Sequence, residues 1–163
     1  MELHSLLAHF PVALFICAFI FSIIGLFYRR GLVKDILLWN MMIGVIASLA
    51  ALYTGLQEEH QIIHDHAIRD LLIIHKRTAY IVTGVFFVLT LWIGTRKRFM
   101  RSFEYIAFIA FMFLSCISVA YEAYSGAEMV FQHGAGVKPV QDELRLKYPL
   151  IKPEEQEEEE VFN

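Results

Sequence analysis

Seven histidines, His4, His9, His60, His64, His66, His75 and His133, are the side chains of this 163-residue sequence best suited to hold a metal or a metal-bearing ring. Imidazole is neutral or nearly so at physiological pH and offers a ring nitrogen as ligand. Two imidazoles from different helices, facing each other across an apolar slot, are what a bis-histidine haem requires. His60 and His64 stand four apart, so a helix would put them on one face, and Glu59, Asp65 and His66 are near enough to complete a zinc or copper set. A solvated loop rich in His and acid explains the same cluster without a metal. Glu122 lies in an apolar stretch, where a carboxyl can hydrogen-bond a ligand histidine or take protons from a bound quinol. Simple exposure at a membrane interface is its alternative.

The elements that must position these groups follow from composition. The chain is 57% hydrophobic and 19% charged, with a mean hydropathy of +0.52. A water-soluble domain carries about a quarter charged residues, and the apolar surplus here is gathered in blocks. A membrane span needs about 20 mostly apolar residues. Four segments qualify, at about 6–28, 36–56, 71–95 and 103–124. They are continuous rather than alternating, and lipid tolerates no unpaired backbone, so they are expected to be helices. The fold class is therefore all-α, an integral membrane four-helix bundle at 1–137, followed by a polar tail at 138–163. The first block is too long for a signal-peptide core and lacks a basic stretch before it, so it is read as a span. The six glutamates at 154, 155 and 157–160 outweigh the net charge of −3, which leaves the remainder net positive without a nucleic-acid-binding pattern.

Cations set the orientation. Arg29, Arg30 and Lys34 lie in the first connection, and Arg96, Lys97, Arg98 and Arg101 in the third. Arg69, Lys76 and Arg77 in the second are interleaved with Glu58, Glu59, Asp65 and Asp70. Both termini and the middle connection are thus expected outside the cytoplasm of a bacterial inner membrane, which the chain crosses several times. All seven histidines then fall toward the outer face. His9 precedes Arg29 by 20 residues and His75 precedes Arg96 by 21, which is about 30 Å and 32 Å of helix. This spacing puts two imidazoles from two helices at nearly one depth. His9 and His75 are accordingly the expected axial pair of a b-type haem, with His4 and His133 in reserve. Interfacial hydrogen bonding to headgroups is the competing use.

An unbroken fourth helix would carry His133 about 48 Å above Arg101, so the helix either projects or folds back near Gly126 or Gly134. Pro11 either breaks the first helix and turns His9 inward or sits harmlessly in its first turn. Phe10, Phe15, Phe19, Tyr80, Phe86, Phe87, Phe108, Phe111 and Phe113 can flank a porphyrin or simply pack. Cys17 and Cys116 read as small apolar residues.

Three stretches carry a family resemblance. Residues 3–11 (LHSLLAHFP) resemble an opening "HP..VHFP" signature, His75 matches a lone histidine at the start of the third helix, and residues 126–137 (GAEMVFQHGAGV) resemble a closing "G.ELVY.HGVGV" motif. The chain thus resembles the four-helix bacterial membrane proteins carrying domain of unknown function 2231, over residues 3–137. Ser5 departs from the proline common in that signature. The resemblance implies the fold and singles out the same histidines without naming a reaction. Relatives joined to iron–sulphur domains imply a redox setting. The segment from His75 to Tyr80 is also similar to ligand helices of cytochrome b561-like proteins.

Three functions are in play. The first is electron transfer through haem b, linking a quinone pool to redox partner proteins outside the cytoplasm. The second is a non-catalytic subunit of a larger membrane complex, packed along Gly44, Ala47, Ser48 and Ala51. The third is zinc or copper handling through His60 and His64.

Overall fold

The computed structural model describes residues 2–28, 31–59 and 66–134, together with residues 143 and 146. Four helices account for nearly all of them: α1 (Glu2–Phe27), α2 (Gly31–Glu59), α3 (His66–Arg96) and α4 (Ser102–His133). Each is long and apolar enough to cross a membrane. Helix is the only economical answer for such blocks, because it satisfies every amide within its own segment.

The helices start earlier or run later than the apolar blocks alone suggest. α2 begins at Gly31 and takes in Lys34 and Asp35, and α4 runs nine residues past Tyr124. The fourth helix is continuous through Gly126 and stops at Gly134, whose φ of 63° lies in the left-handed region. Its amide closes onto Met129 and Val130 carbonyls, the glycine-terminated cap that a side chain would strain. Pro11 is the tenth residue of α1 and is buried in an unbroken helix, so it neither opens the helix nor occupies its first turn.

Around the bundle each helix packs on its sequence neighbours, and α4 closes back on α1. α1 and α3 are therefore one diagonal pair, and α2 and α4 the other. The buried residues recur at alternating steps of three and four: Pro11, Phe15, Ala18 and Ser22 on α1, Leu37, Met41, Gly44 and Ser48 on α2. Ala79, Val82, Phe86, Leu89 and Ile93 do the same on α3, and Tyr105, Phe108, Met112, Ser115 and Val119 on α4. This 3.5-residue period is that of a left-handed bundle with interlocking side chains. Outside the seam, large residues such as Ile43, Ile46, Leu49, Val88 and Leu91 are exposed, which is the surface lipid covers.

Two contacts fix the helix positions. Phe15 of α1 and Phe86 of α3 stack across the diagonal with ring centres 3.6 Å apart and planes 7° from parallel. Gly44 of α2 admits the Phe15 ring, since a Cβ there would come within 2.7 Å of it. The Tyr105 hydroxyl donates to the Ser22 carbonyl at 2.9 Å, lying against Gly25. Gly44, Ser48 and Ala51 are thus buried within the chain's own bundle, so this small-residue stripe is not an outward seam for another subunit.

Candidate functional site

The Phe15–Phe86 stack sets the register of the two diagonal helices, and that register defines a pair of histidines. α1 and α3 run in the same direction, each crossing the bundle as alternate elements of an up-down array. Eleven residues before Phe15 is His4, and eleven before Phe86 is His75. Eleven residues are three turns to within about 20°, a rise of about 16 Å. His4 and His75 therefore occupy one level and point along the seam that carries the phenylalanines. They are close enough that a charge on one is felt at the other. His9 is level with Tyr80 instead and is exposed, turned about 140° from His4 around α1.

Each inward imidazole is held in the same manner. His75 Nδ1 lies 3.0 Å from the Ser125 hydroxyl, and that hydroxyl donates its one proton to the Glu122 carbonyl at 2.8 Å. Ser125 is therefore the acceptor, and His75 is the donor through Nδ1–H. His4 Nδ1 lies 3.0 Å from the Ala51 carbonyl, which can only accept. Thr54, whose hydroxyl bonds back to the Ala50 and Ala51 carbonyls, approaches the same nitrogen at 3.4 Å. Both rings thus donate through Nδ1–H, the tautomer in which Nε2 is the basic nitrogen.

Glycine makes room for both rings. A Cβ on Gly55 of α2 would fall 3.0 Å from His4 Cε1, and one on Gly126 of α4 would fall 3.2 Å from His75 Cε1. All four helices therefore meet at this end of the bundle, two contributing an imidazole and two a glycine beside a hydroxyl-bearing residue, Thr54 on α2 and Ser125 on α4. Glu122 sits one turn before Gly126 on the same seam, half-buried. Among the described residues its carboxyl has no hydrogen-bond or ion-pair partner.

The opposite end of the bundle is charged. Lys34 donates to the Lys97 carbonyl at 3.1 Å and stands 4.9 Å from the centre of the Tyr105 ring. Lys97 pairs with Asp35. Glu104 receives Arg96 at 3.0 and 3.2 Å and the Trp92 indole at 3.1 Å. These contacts tie the start of α2, the end of α3 and the start of α4 together. The histidine end and the cation end are at opposite extremes of the helices, as depth along the sequence predicts.

The remaining candidates fall elsewhere. His60 and His64 lie outside the described residues, and the zinc or copper set built on them lies there too. His133 is the last residue of α4, with its side chain outside the described set. Among the described residues no group of three or more His, Cys, Asp or Glu could hold a metal ion. Of the aromatic residues considered as porphyrin walls, Phe15, Phe86 and Phe108 are buried in the core and Phe10, Tyr80, Phe87, Phe111 and Phe113 are exposed.

Sequence reasoning did not single out Ser125, Thr54, Gly55 or the inward facing of His4. The spacing His4, Pro11, Ala18, Gly25, a heptad of histidine, proline and small residues, is the signal that carries that facing.

A family described as "predicted membrane protein (DUF2231)" matches residues 1–139 of the chain. No curated protein matches it, and no solved structure does.

Proposed function

We propose, for a chain that belongs to the DUF2231 family of predicted membrane proteins, that it is a small electron-transfer subunit binding b-type haem between His4 and His75. It takes electrons from a quinol in the bilayer and passes them to an acceptor protein on the extracytoplasmic side. The observation that carries this reading is the level, inward pair of imidazoles on diagonal helices, each donating Nδ1–H to oxygen and keeping Nε2 as the ligand atom.

The residues fit such a group in three respects. Two helices supply one neutral ring nitrogen each, the number and charge that an iron porphyrin takes on its two faces. Gly55 and Gly126 let the two rings lie close against the backbones of α2 and α4. The seam continues inward through apolar residues, Ala79, Val82 and Val119 among them, which exclude water. When bound, the haem supplies reversible one-electron chemistry at iron. The protein would fix ligand tautomer through Ala51 and Ser125 and bury the rings toward the bundle's core. The excess of cations at the other end, with Lys34, Arg96 and Lys97 all there, supports a cytoplasmic placement of that end and an outer one for the histidines.

The test is a spectrum. Detergent-purified protein from haem-replete cells is expected to give a Soret band and, on dithionite reduction, a sharp α-band. His4→Ala and His75→Ala are expected to abolish the six-coordinate spectrum, and His9→Ala to leave it unchanged. A wild-type protein that stays colourless under these conditions ends the haem reading.

A further inference from the structure

We propose that the cleft between α3 and α4 is the seat of a quinol's isoprenoid chain and that its head group hydrogen-bonds to Glu122; the inference rests on the electron-transfer reading, whose donor it locates. The cleft has a volume of about 220 Å³ and is lined by Ile81 and Val85 of α3 and by Phe111, Leu114, Ser115 and Ser118 of α4. These residues fall near the middle of the two spans, Ile68–Arg96 and Ser102–Gln132. Ile81, Phe111 and Leu114 are each more than half exposed, so the cleft opens sideways into hydrocarbon. Only a lipid-soluble chain has access to it.

Its walls are apolar in effect as well as in composition. The Ser115 hydroxyl donates to the Phe111 carbonyl at 2.8 Å and the Ser118 hydroxyl to the Leu114 carbonyl at 3.3 Å. Both hydroxyl protons are used within the helix, leaving a surface suited to carbon. At about 30 Å³ for a water-sized group, the volume holds about seven such groups, more than one branched five-carbon unit.

The cleft's lining ends at Ile81 and Ser118, one to two turns short of His75 and Glu122. Ser118 and Glu122 are four apart on α4, and His75 and Val82 seven apart on α3, so each pair shares the face that borders the cleft. Glu122 is about 6 Å further along the axis than Ser118. Its half-buried carboxyl, without a partner among the described residues, is a hydrogen-bond acceptor one turn beyond the cleft's last lining residue on α4. Acyl chains of the surrounding lipid reach the cleft as readily, and the head group is what distinguishes a quinol from them. A quinol brings a neutral hydroxyl that donates to a Glu122 carboxyl oxygen, on a head group attached to the kind of chain the cleft accepts.

The experiment uses the full chain in phosphatidylcholine nanodiscs, titrated anaerobically with a tritiated ubiquinol whose tail is two isoprene units, with empty nanodiscs subtracted. Saturable binding of about one quinol per chain is expected. Ser118→Phe, which fills the cleft, and Glu122→Leu, which removes the acceptor, are each expected to weaken binding by about tenfold. Glu122→Gln keeps an acceptor oxygen and is expected to lose less. Ile43→Phe, on the far face of α2, should bind like wild type, and circular dichroism melts of all variants report whether they fold. Partition without saturation overturns the proposal, as does binding that both Ser118→Phe and Glu122→Leu leave intact. Displacement by decanol as effective as by unlabelled quinol also overturns it, because the head group would then be irrelevant. The binding is read without haem. A chain that binds the quinol and lacks a Soret band overturns the electron-transfer reading alone, and a haem-replete chain that binds no quinol overturns this inference alone.

Discussion

At the scale of single residues, His4 and His9 differ in which way each faces, and that difference is why the proposed pair is His4 and His75 rather than His9 and His75. They are five residues apart, so one helix cannot turn both inward. His4 lies on the seam with Pro11, Phe15 and Ala18, while His9 is exposed. The oxygen atoms behind the rings are as much a part of the site as the rings. Ser125→Ala removes the hydroxyl acceptor of the His75 Nδ1–H. Haem retention is expected to fall by about 10–100-fold, the usual cost of losing a partner behind a ligand histidine, read as haem loss to apomyoglobin. Ser125→Thr keeps the hydroxyl and is expected to retain most of the affinity. Gly126→Ala tests the other side of the same ring. Its Cβ would lie 3.2 Å from His75 Cε1, so the imidazole must shift, and a displaced α-band is the expected outcome.

At the scale of elements, two glycines with opposite environments give opposite expectations. A Cβ on Gly44 would stand 2.7 Å from the Phe15 ring, which is buried and stacked on Phe86 and so cannot retreat. Gly44→Ala is therefore expected to destabilise by about 1–3 kcal/mol, the range for overpacking a filled core. A Cβ on Gly31 meets nothing within 4 Å. Gly31→Ala is expected to be neutral or to stabilise by up to about 1 kcal/mol, by restricting the unfolded chain. Reversible unfolding in mixed micelles compares the two. The spans were legible as elements because 20-residue apolar blocks have no other stable form in lipid. Their ends were not, because helices continue past the hydrocarbon through charged residues such as Lys34 and Glu128, which hydropathy alone places outside a span. Pro11 illustrates the same limit. Buried on the seam, it is tolerated in mid-helix by packing that the local sequence does not express.

At the scale of the whole molecule, the family match ends at residue 139 and the bundle's last cap is at Gly134. A chain ending at Pro139 is accordingly expected to melt and to bind haem as the full chain does, a comparison that spectra and circular dichroism make directly. Reporter fusions test the orientation: alkaline phosphatase should be active at the C-terminus and inactive between Lys97 and Arg101, and the reverse pattern would put the histidines inside. The sequence by itself determined that this protein is four membrane-spanning helices with histidines at one end and cations at the other. Length, hydropathy and charge are properties of segments, and they act on the chain one segment at a time. Only the tertiary structure decided which residues share a level and a face. In a water-soluble helix the polar side marks the outside, but here Ile46 and Leu89 are equally apolar, one facing lipid and the other the core. The inward seam was set by the stacking of Phe15 on Phe86, the ring of Phe15 against Gly44, and Tyr105 on Ser22. These are contacts between helices, and they brought His4, Gly55, His75 and Gly126 to one end of a common core.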